Sequence, residues 1–286
     1  MEHISSPAHI KAIMQANGLT FHKGLGQNFL FDDFFLSKIV DSADITGEDT
    51  VLEIGPGLGV LTTRLAEKAK KVIAVEIDQN IVPVLQKLTI AYNNIEIINK
   101  DILKTDLKEI LPEGEKVKVV ANLPYYITSP IIMKLLTEGD FINTIVIMIQ
   151  KEVADRIVAS PSTKDYGALT VAVHYYSNPK KMVTVPAGAF IPPPKVDSTV
   201  LRLDIPETPK YSPKCEKTFF RVVKGAFGQR RKTLANALSS AFNDFSKEEI
   251  REIITNCDLS ETCRGETLDI EKFIEISDFL QNKKRK

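Results

Sequence analysis

Residues 51–59 read Val51-Leu52-Glu53-Ile54-Gly55-Pro56-Gly57-Leu58-Gly59, which predicts a buried strand that runs directly into a glycine-rich turn. The residues that follow, Val60 to Ala66, predict a helix. A strand, a glycine turn and a helix are the first unit of a doubly wound α/β sheet, and the glycines let the backbone approach a ligand closely. A dinucleotide-binding fingerprint would have its third glycine at position 60, which is a valine here. The spacing therefore favours a nucleoside ligand that has no pyrophosphate.

Two further strands are predicted downstream, and an acidic residue follows each of them. Val72–Val75 ends at Glu76, about where a carboxylate reaches the two hydroxyls of a ribose. Ile95–Ile98 ends near Asp101, which is placed to accept a hydrogen bond from an adenine amino group. Taken singly, each acid is equally typical of a helix cap or a solvated side chain. Together with the glycine turn they favour S-adenosylmethionine as the ligand.

A third feature is the turn Asn122-Leu123-Pro124-Tyr125, which closes the apolar strand predicted for Val117–Ala121. The Asn122 side-chain oxygen and the Leu123 carbonyl are two acceptors for the N–H groups of an exocyclic amine. Pro124 restricts the backbone of Leu123, and Tyr125 offers a face on which a flat base can stack. Alone, an asparagine and a proline after a strand usually form only a turn. In this order on successive strands, the motifs predict a methyltransferase.

The remaining pattern divides the chain into three segments. We predict an N-terminal extension over residues 1–49, a Rossmann-like domain over 50–205 with a mostly parallel sheet of seven strands, and a helical domain over 206–286. Residues 166–176 favour a strand by composition but carry helical spacing, and we predict a helix there. Phe190 begins a loop stiffened by three prolines and is predicted to offer a second stacking face, with a core position as the alternative.

Composition restricts the compartment and the partners. No stretch approaches the roughly 18 apolar residues needed to span a bilayer, so no membrane partner is expected. Three cysteines without a CxxC pair fit a reducing, cytoplasmic location and predict no metal site.

The charge distribution predicts a polyanionic partner. The formal net charge is zero, but residues 211–241 carry seven lysines or arginines and one glutamate. Residues 242–282 carry eleven acids and four bases, so the neutral total hides a concentrated basic segment. A solvated helix face is the alternative reading of that segment. Its candidate RNA-binding side chains are Arg221, Lys224, Arg230, Arg231 and Lys232.

With these motifs the chain resembles the ribosomal RNA adenine dimethyltransferases, in particular their bacterial small-subunit branch, over nearly its whole length. The markers are Leu25–Leu30 (LGQNFL), Glu53–Gly59 (EIGPGLG), Asn122–Tyr125 (NLPY), Phe190–Ser198 (FIPPPKVDS) and Ala226–Leu238 (AFGQRRKTLANAL). The first three are shared with the large-subunit enzymes of macrolide resistance, and the last two favour the small-subunit branch.

The resemblance implies a class I S-adenosylmethionine-dependent fold and a role for each matched residue. Asn28 and Leu30 would cover the methionine end of the cofactor, and Gly55 would lie against its amino-acid portion, with Gly57 in the same cofactor-binding turn. Glu76 would hold the ribose and Asp101 the adenine. Asn122 would touch both cofactor and target.

The implied function is transfer of methyl groups to N6 of two adjacent adenines in the loop of the 3′-terminal hairpin of small-subunit (16S) rRNA, with S-adenosylhomocysteine as the second product. The implied partner is the immature small ribosomal subunit, the protein is expected to act as a monomer, and a role in subunit biogenesis is expected. Three alternatives remain at this point: a large-subunit (23S) adenine methyltransferase, a DNA adenine methyltransferase and a non-enzymatic assembly factor.

Overall fold

The computed structural model describes residues 6–21, 26–138 and 141–283 of the 286-residue chain. It divides into two compact units, Met1–Ala154 with Ser177–Glu207, and Asp155–Tyr176 with Thr208–Lys286. The sequence had assigned residues 155–176 to the Rossmann-like domain. The structure groups them with the C-terminal helices because their apolar side chains, including Val171 and Tyr175, belong to the core of the helical unit.

The first unit contains nearly all of the regular structure up to residue 157 and every strand among the described residues. Its helices are α1 (Pro7–Ala16), α2 (Asp33–Ser42), α3 (Val60–Ala66), α4 (Val82–Leu88), α5 (Thr128–Thr137) and the first part of α6 (Lys151–Ile157). The strands in chain order are β1 (Phe29–Leu30), β2 (Thr50–Ile54), β3 (Lys71–Glu76), β4 (Ile95–Asn99), β5 (Val117–Asn122), β6 (Ile142–Gln150), β7 (Asn178–Val185), β8 (Phe190–Ile191) and β9 (Ser198–Asp204).

Seven of these strands form one sheet in the order β4-β3-β2-β5-β6-β9-β7. Pairing is parallel from β4 to β6 and antiparallel from β6 through β9 to β7. The central strands β2 and β5 are mostly apolar and mostly buried, as expected where a sheet is covered on both faces. The predicted sheet, mostly parallel with seven strands, is confirmed.

The order of the strands places a ligand crevice beside β2. From β2 the chain continues to β3 on one side and later returns to β5 on the other. In open α/β sheets such a switch point leaves a crevice at the carboxyl ends of the strands. The glycine turn after β2, Glu76 at the end of β3 and Asn122 at the end of β5 all lie at that edge.

A second, two-stranded sheet is formed by β1 and β8, which pair antiparallel. Phe29 is the partner of Ile191, and Leu30 is the partner of Phe190. This ribbon joins the loop before β1 to the proline-rich loop after β8. It is not predictable from the sequence, because two residues are too few to show a strand period.

The second unit is helical and is built around aromatic side chains. Besides the end of α6, its helices are α7 (Ala168–Tyr176), α8 (Glu216–Gly228), α9 (Leu234–Ala241), α10 (Lys247–Asn256) and α11 (Ile270–Lys283). Phe219, Phe242 and Phe273 are fully buried in its core. The Tyr176 hydroxyl donates to Glu216 at 2.6 Å, which ties α7 to α8. The helix predicted within residues 166–176 is present as α7.

Candidate active site at the carboxyl ends of the central strands

A cavity in the first unit opens at the carboxyl ends of β2, β3 and β5 and beside the loop that follows β4. It gathers side chains from motifs that are far apart in the sequence. The predicted site residues among its lining are Asn28, Leu30, Gly55, Gly57, Glu76, Asp101, Asn122, Leu123 and Tyr125. Leu25, the first residue of the motif that contains Asn28, lies outside the described residues.

The glycine turn forms one wall of this cavity and needs glycine for two reasons. Gly55 and Gly57 have φ angles of +70° and +57°, a region that side chains other than glycine rarely adopt. A Cβ atom on Gly57 would also lie 2.7 Å from Cε1 of Phe29, well inside van der Waals contact. The Phe29 ring of β1 can therefore pack against the turn after β2 only because position 57 lacks a side chain.

The Glu76 carboxylate is held at the end of β3 by backbone donors. Its Oε2 accepts a hydrogen bond from the Gly57 N–H at 3.0 Å, and its Oε1 accepts one from the Asp78 N–H at 2.9 Å. Burial raises the pKa of Glu76, whereas these two hydrogen bonds lower it. A carboxylate has about four acceptor positions, so two bound N–H groups leave it able to accept from further donors.

Asp78, whose backbone N–H binds Glu76, is itself bonded to Gln27, and neither residue was among the predicted site residues. Nε2 of Gln27 donates to Oδ2 of Asp78 at 2.9 Å, and Asp78 is itself buried. The available signals were the position of Asp78 two residues after Glu76 and the position of Gln27 next to Asn28. Neither signal distinguishes a supporting residue from an ordinary loop residue.

Asp101 lies in the loop after β4 with one oxygen already used. Its Oδ1 accepts from the Leu103 N–H at 3.0 Å, and its Oδ2 lies 3.7 Å from Nζ of Lys104. The second distance allows only a loose ion pair. Oδ2 is therefore the oxygen of Asp101 with capacity for a ligand donor.

The Asn122 side chain is oriented by the loop that contains Asn28. Nδ2 of Asn122 donates to the backbone carbonyl of Asn28 at 3.1 Å. A carbonyl oxygen only accepts, so this bond fixes which end of the amide is nitrogen and leaves Oδ1 as the free acceptor. The Leu123 N–H donates to the Met148 carbonyl of β6 at 3.1 Å, which holds the backbone of the next residue in place.

Tyr125 lines the same cavity and is anchored at its hydroxyl. The hydroxyl oxygen lies 2.8 Å from Oγ of Ser198, the first residue of β9. Burial raises the pKa of Tyr125, so its hydroxyl is neutral at physiological pH. The ring is therefore fixed at its far end while it contributes to the cavity wall.

Phe190 differs from the expectation that it offers a second stacking face. It is not part of the cavity lining, and only 3% of its surface is exposed. It packs in an apolar cluster with the β1 residue Leu30, with which it is paired in the small ribbon. The structure thus places it at the core position that the sequence left as the alternative.

Glu53 also lines the cavity, although it was not among the predicted site residues. It lines the cavity from the end of β2, yet only 1% of it is exposed. Its Oε2 is buried with no hydrogen-bond partner among the described residues. Burial raises the pKa of Glu53 to about 8, the charge of Glu76 acts in the same direction, and the Thr62 hydroxyl opposes both.

The five candidate RNA-binding residues lie in the second unit and fall into two groups. Arg221 donates twice to the Ala241 carbonyl and stacks over Phe242 at 4.1 Å, and Arg230 pairs with Glu266 at 2.7 Å. Lys224, Arg231 and Lys232 are exposed and form no ion pair with any described residue. Only the second group has its charge fully available to a partner.

No group of three or more His, Cys, Asp or Glu side chains in the described ranges is arranged to hold a metal ion. No helix there is long and apolar enough to cross a bilayer.

Comparison with known proteins gives consistent matches. The model of the family described as "Ribosomal RNA adenine dimethylase" matches residues 18–278. The chain is 51% identical over 286 residues to the ribosomal RNA small subunit methyltransferase A of Alkaliphilus oremlandii, covering 99% of this chain and 100% of that protein.

Two solved structures share its architecture. One is a dimethyladenosine transferase from Plasmodium falciparum, with a TM-score of 0.75 and 29% identity over 89% of this chain and 97% of that one. The other is the 23S rRNA methyltransferase ErmE, with a TM-score of 0.68 and 26% identity over 89% of this chain and all (100%) of that one. Both confirm the predicted class of fold.

Proposed function

The chain belongs to the ribosomal RNA adenine dimethylase family, and on that premise we propose that it transfers methyl groups from S-adenosylmethionine to N6 of two adjacent adenines in the loop of the 3′-terminal hairpin of small-subunit rRNA. One observation supports this chemistry above the others. The Asn122 amide presents Oδ1 as an acceptor beside the Leu123 carbonyl, in a cavity that also contains the glycine turn and Glu76.

The relatives favour the small subunit over the large subunit as the source of the substrate. The relative that is 51% identical over the whole chain is a small-subunit enzyme, whereas the large-subunit enzyme ErmE is 26% identical. Both of these proteins are named as methyltransferases of ribosomal RNA. The alternative of a DNA adenine methyltransferase therefore has no support among the matches described above.

The residues of the cavity fit the proposed cofactor. Glu76 keeps acceptor capacity for two ribose hydroxyls, and Oδ2 of Asp101 keeps capacity for an adenine amino group. Gly55 and Gly57 open the wall on which the amino-acid portion would lie, and Asn28 and Leu30 cover it. S-adenosylmethionine, when bound, supplies a methyl group that the sulfonium has already activated.

The protein's contribution to transfer is positioning and charge stabilisation. Asn122 and Leu123 hold the exocyclic amine through its two N–H bonds, and Tyr125 stacks on the base. The amine would become cationic as its nitrogen forms the new bond to the methyl carbon and the carbon–sulfur bond breaks, which leaves the neutral thioether S-adenosylhomocysteine. The oxygens of Asn122 and Leu123 would stabilise that charge until one N–H proton is lost to water. Extrusion of the base costs a few kcal/mol, which stacking on Tyr125 offsets by roughly 1–3 kcal/mol.

Dimethylation places a second demand on the same two acceptors. After the first transfer only one N–H remains, so either Asn122 or Leu123 loses its donor. The space once filled by a hydrogen must also accept a methyl group. We therefore expect the second transfer to be slower than the first.

We further propose that the exposed cations Lys224, Arg231 and Lys232 contact rRNA phosphates in an immature small subunit, and that the protein acts as a cytoplasmic monomer in subunit biogenesis. Phosphate contacts position a protein without reading sequence. The three cysteines, Cys215, Cys257 and Cys263, are free thiols, which fits a reducing compartment.

The test is mass-spectrometric mapping of N6-dimethyladenine in small subunits from a strain that lacks this modification, after incubation with the protein and labelled S-adenosylmethionine. We expect label at two adjacent adenines of the 3′-terminal hairpin and none with the Asn122→Ala variant. Label in large subunits alone, or on no adenine, would contradict the proposal.

A further inference from the structure

Two consecutive tyrosines, Tyr125 and Tyr126, form a short 3-10 turn directly after the Asn122 turn, and their environments differ. Tyr125 is half-buried, and its hydroxyl is bonded to Ser198. Tyr126 is 55% exposed, and it lines the same cavity. The side chain of Tyr126 is therefore at the rim of the cavity, where it is open to solvent.

The Tyr126 ring is nevertheless held in place by the loop before β1. A Cβ atom on Gly26 would lie 3.5 Å from Cδ1 and 3.7 Å from Cε1 of this ring, so the ring lies against the Gly26 backbone. Gly26 has a φ of +63°, and it is also part of the cavity lining. The ring is thus supported on one side and exposed on the other, as expected of a preformed stacking surface.

The proposed reaction leaves one RNA base without a stacking partner. Extruding an adenine into the cavity breaks its stacking on the neighbouring nucleotide, and this loss is the main cost of extrusion. The neighbouring nucleotide is one backbone step from the target and so lies near the cavity rim. An aromatic ring at that rim can replace the contact that the extruded adenine has lost.

We propose that Tyr126 stacks on the nucleobase adjacent to the target adenine and takes the place of the extruded base. This inference rests on the proposed function, because it requires a flexible RNA loop from which an adenine is extruded. Tyr125 covers the target and Tyr126 covers its neighbour. Where two adjacent adenines are both targets, the base on Tyr126 is the other substrate adenine.

The first test compares three variants on under-methylated small subunits. Tyr126→Ala is expected to lower kcat/KM roughly 10- to 100-fold, the range for loss of one stacked base. Tyr126→Phe keeps the ring and should stay within about threefold of the unaltered protein. Phe34→Ala is the matched control, because Phe34 is 59% exposed in the same unit but is not part of the cavity lining. This control variant should change kcat/KM by less than about twofold.

The second test asks whether the effect passes through the neighbouring base. Small subunits are reconstituted with a ligated 3′ rRNA segment that carries an abasic nucleotide beside one target adenine, on its 5′ side or on its 3′ side. For one of these substrates we expect Tyr126→Ala and the unaltered protein to methylate the remaining adenine at rates within about threefold, because the contact is already absent. An equal loss on abasic and intact RNA would overturn the proposal.

A third measurement separates stacking from support of the Gly26 loop. Calorimetric titration with S-adenosylmethionine should give the same Kd for Tyr126→Ala as for the unaltered protein. A Kd weakened as much as kcat/KM would show that the ring only holds the loop, and would also overturn the proposal. Failure of the proposed function has a different outcome, namely no transfer to intact subunits by the unaltered protein.

Discussion

The hydroxyl of Tyr125 lies 2.8 Å from Oγ of Ser198, so the aromatic residue of the Asn-Leu-Pro-Tyr turn is tied to the last residue of the proline-rich motif. Ser198 is completely buried, and it begins β9 beside β6. The bond fixes the direction of the Tyr125 ring before any target arrives. A stacking surface that is already oriented loses less entropy on binding than a free side chain.

Removing this hydroxyl should affect stability more than chemistry. Tyr125→Phe leaves Ser198 without a partner in a buried position, which costs roughly 1–3 kcal/mol, but it keeps the aromatic face. We expect a lower melting temperature and a kcat/KM within about fivefold, whereas Tyr125→Ala should lose most activity. A double-mutant cycle with Ser198→Ala checks the pairing, because additive stability losses would mean that the two hydroxyls do not interact.

Asn122→Ala should abolish transfer while RNA affinity stays within about twofold. Removal of one preorganised polar group from a developing charge typically lowers kcat by about 100- to 1,000-fold. Single-turnover methylation and filter binding to small subunits measure the two quantities. Asn17→Ala, which alters an exposed amide at the end of α1, is the control. Parallel losses of binding and turnover would remove Asn122 from its proposed role.

Gly57→Ala should weaken the binding of S-adenosylmethionine by about tenfold or more. A non-glycine residue at φ +57° costs roughly 1–2 kcal/mol, and the new Cβ would displace the buried Phe29 ring from the cavity wall. Gly114→Ala is a matched control, since Gly114 has a φ of +78° but open space around it. Both variants should lose stability, and only Gly57→Ala should change the Kd for S-adenosylmethionine. An equal Kd for S-adenosylmethionine in Gly57→Ala and in the unaltered protein would contradict this account.

Without bound S-adenosylmethionine, the protein should lose stability as the pH rises from about 4.5 to about 8. These two values are the ordinary pKa of a glutamate and the pKa of buried Glu53. The unfolded chain releases the Glu53 proton first, so the folded state binds more protons throughout this interval and is increasingly disfavoured. At about 1.4 kcal/mol per pKa unit, the effect amounts to a few kcal/mol.

The Glu53→Gln variant tests that assignment. Its side chain stays neutral at every pH, so its unfolding free energy should depend less on pH over the same interval than that of the unaltered protein. Glu48→Gln, which changes an exposed carboxyl in the same unit, should keep the original dependence. Urea unfolding at a series of pH values supplies the measurement, and identical curves for Glu53→Gln and the unaltered protein would refute the role of Glu53.

Replacing different cationic residues of the basic segment should affect RNA binding and stability differently. Replacing both Arg231 and Lys232 with alanine is expected to weaken RNA binding and to reduce the slope of log K against log salt by roughly 2, without lowering the melting temperature. Arg230→Ala should instead lower the melting temperature, because Arg230 bonds to Glu266 and to the Thr163 carbonyl. An unchanged slope for the double variant would reject the phosphate contacts.

Much of the site could be predicted because its residues follow apolar strands. The strands before the glycine turn, before Glu76 and before Asn122 are each rich in apolar residues, and parallel strands bring their carboxyl ends to one edge. The placement of these residues at one cavity therefore follows from local pattern and topology.

Features that depend on pairs distant in sequence could not be predicted in this way. The β1–β8 ribbon has two residues on each side, so no periodicity marks it, and its pairing places Phe190 in the core. The pairing of Arg230 with Glu266 likewise cannot be inferred from the number of charged residues in a segment. Glu53 was visible only as a member of a strand, since its depth in the cavity depends on the neighbours that surround it.

The hydrogen bond from Asn122 to the Asn28 carbonyl joins residues 94 positions apart in the sequence. It connects the Asn-Leu-Pro-Tyr turn directly to the segment that precedes β1. The Nδ2 end of the Asn122 amide is occupied by this bond, and the Oδ1 end is the acceptor that we propose for the target amine. A change in the backbone path at Asn28 would therefore move the carbonyl that orients the Asn122 amide, and with it the oxygen proposed to select the target.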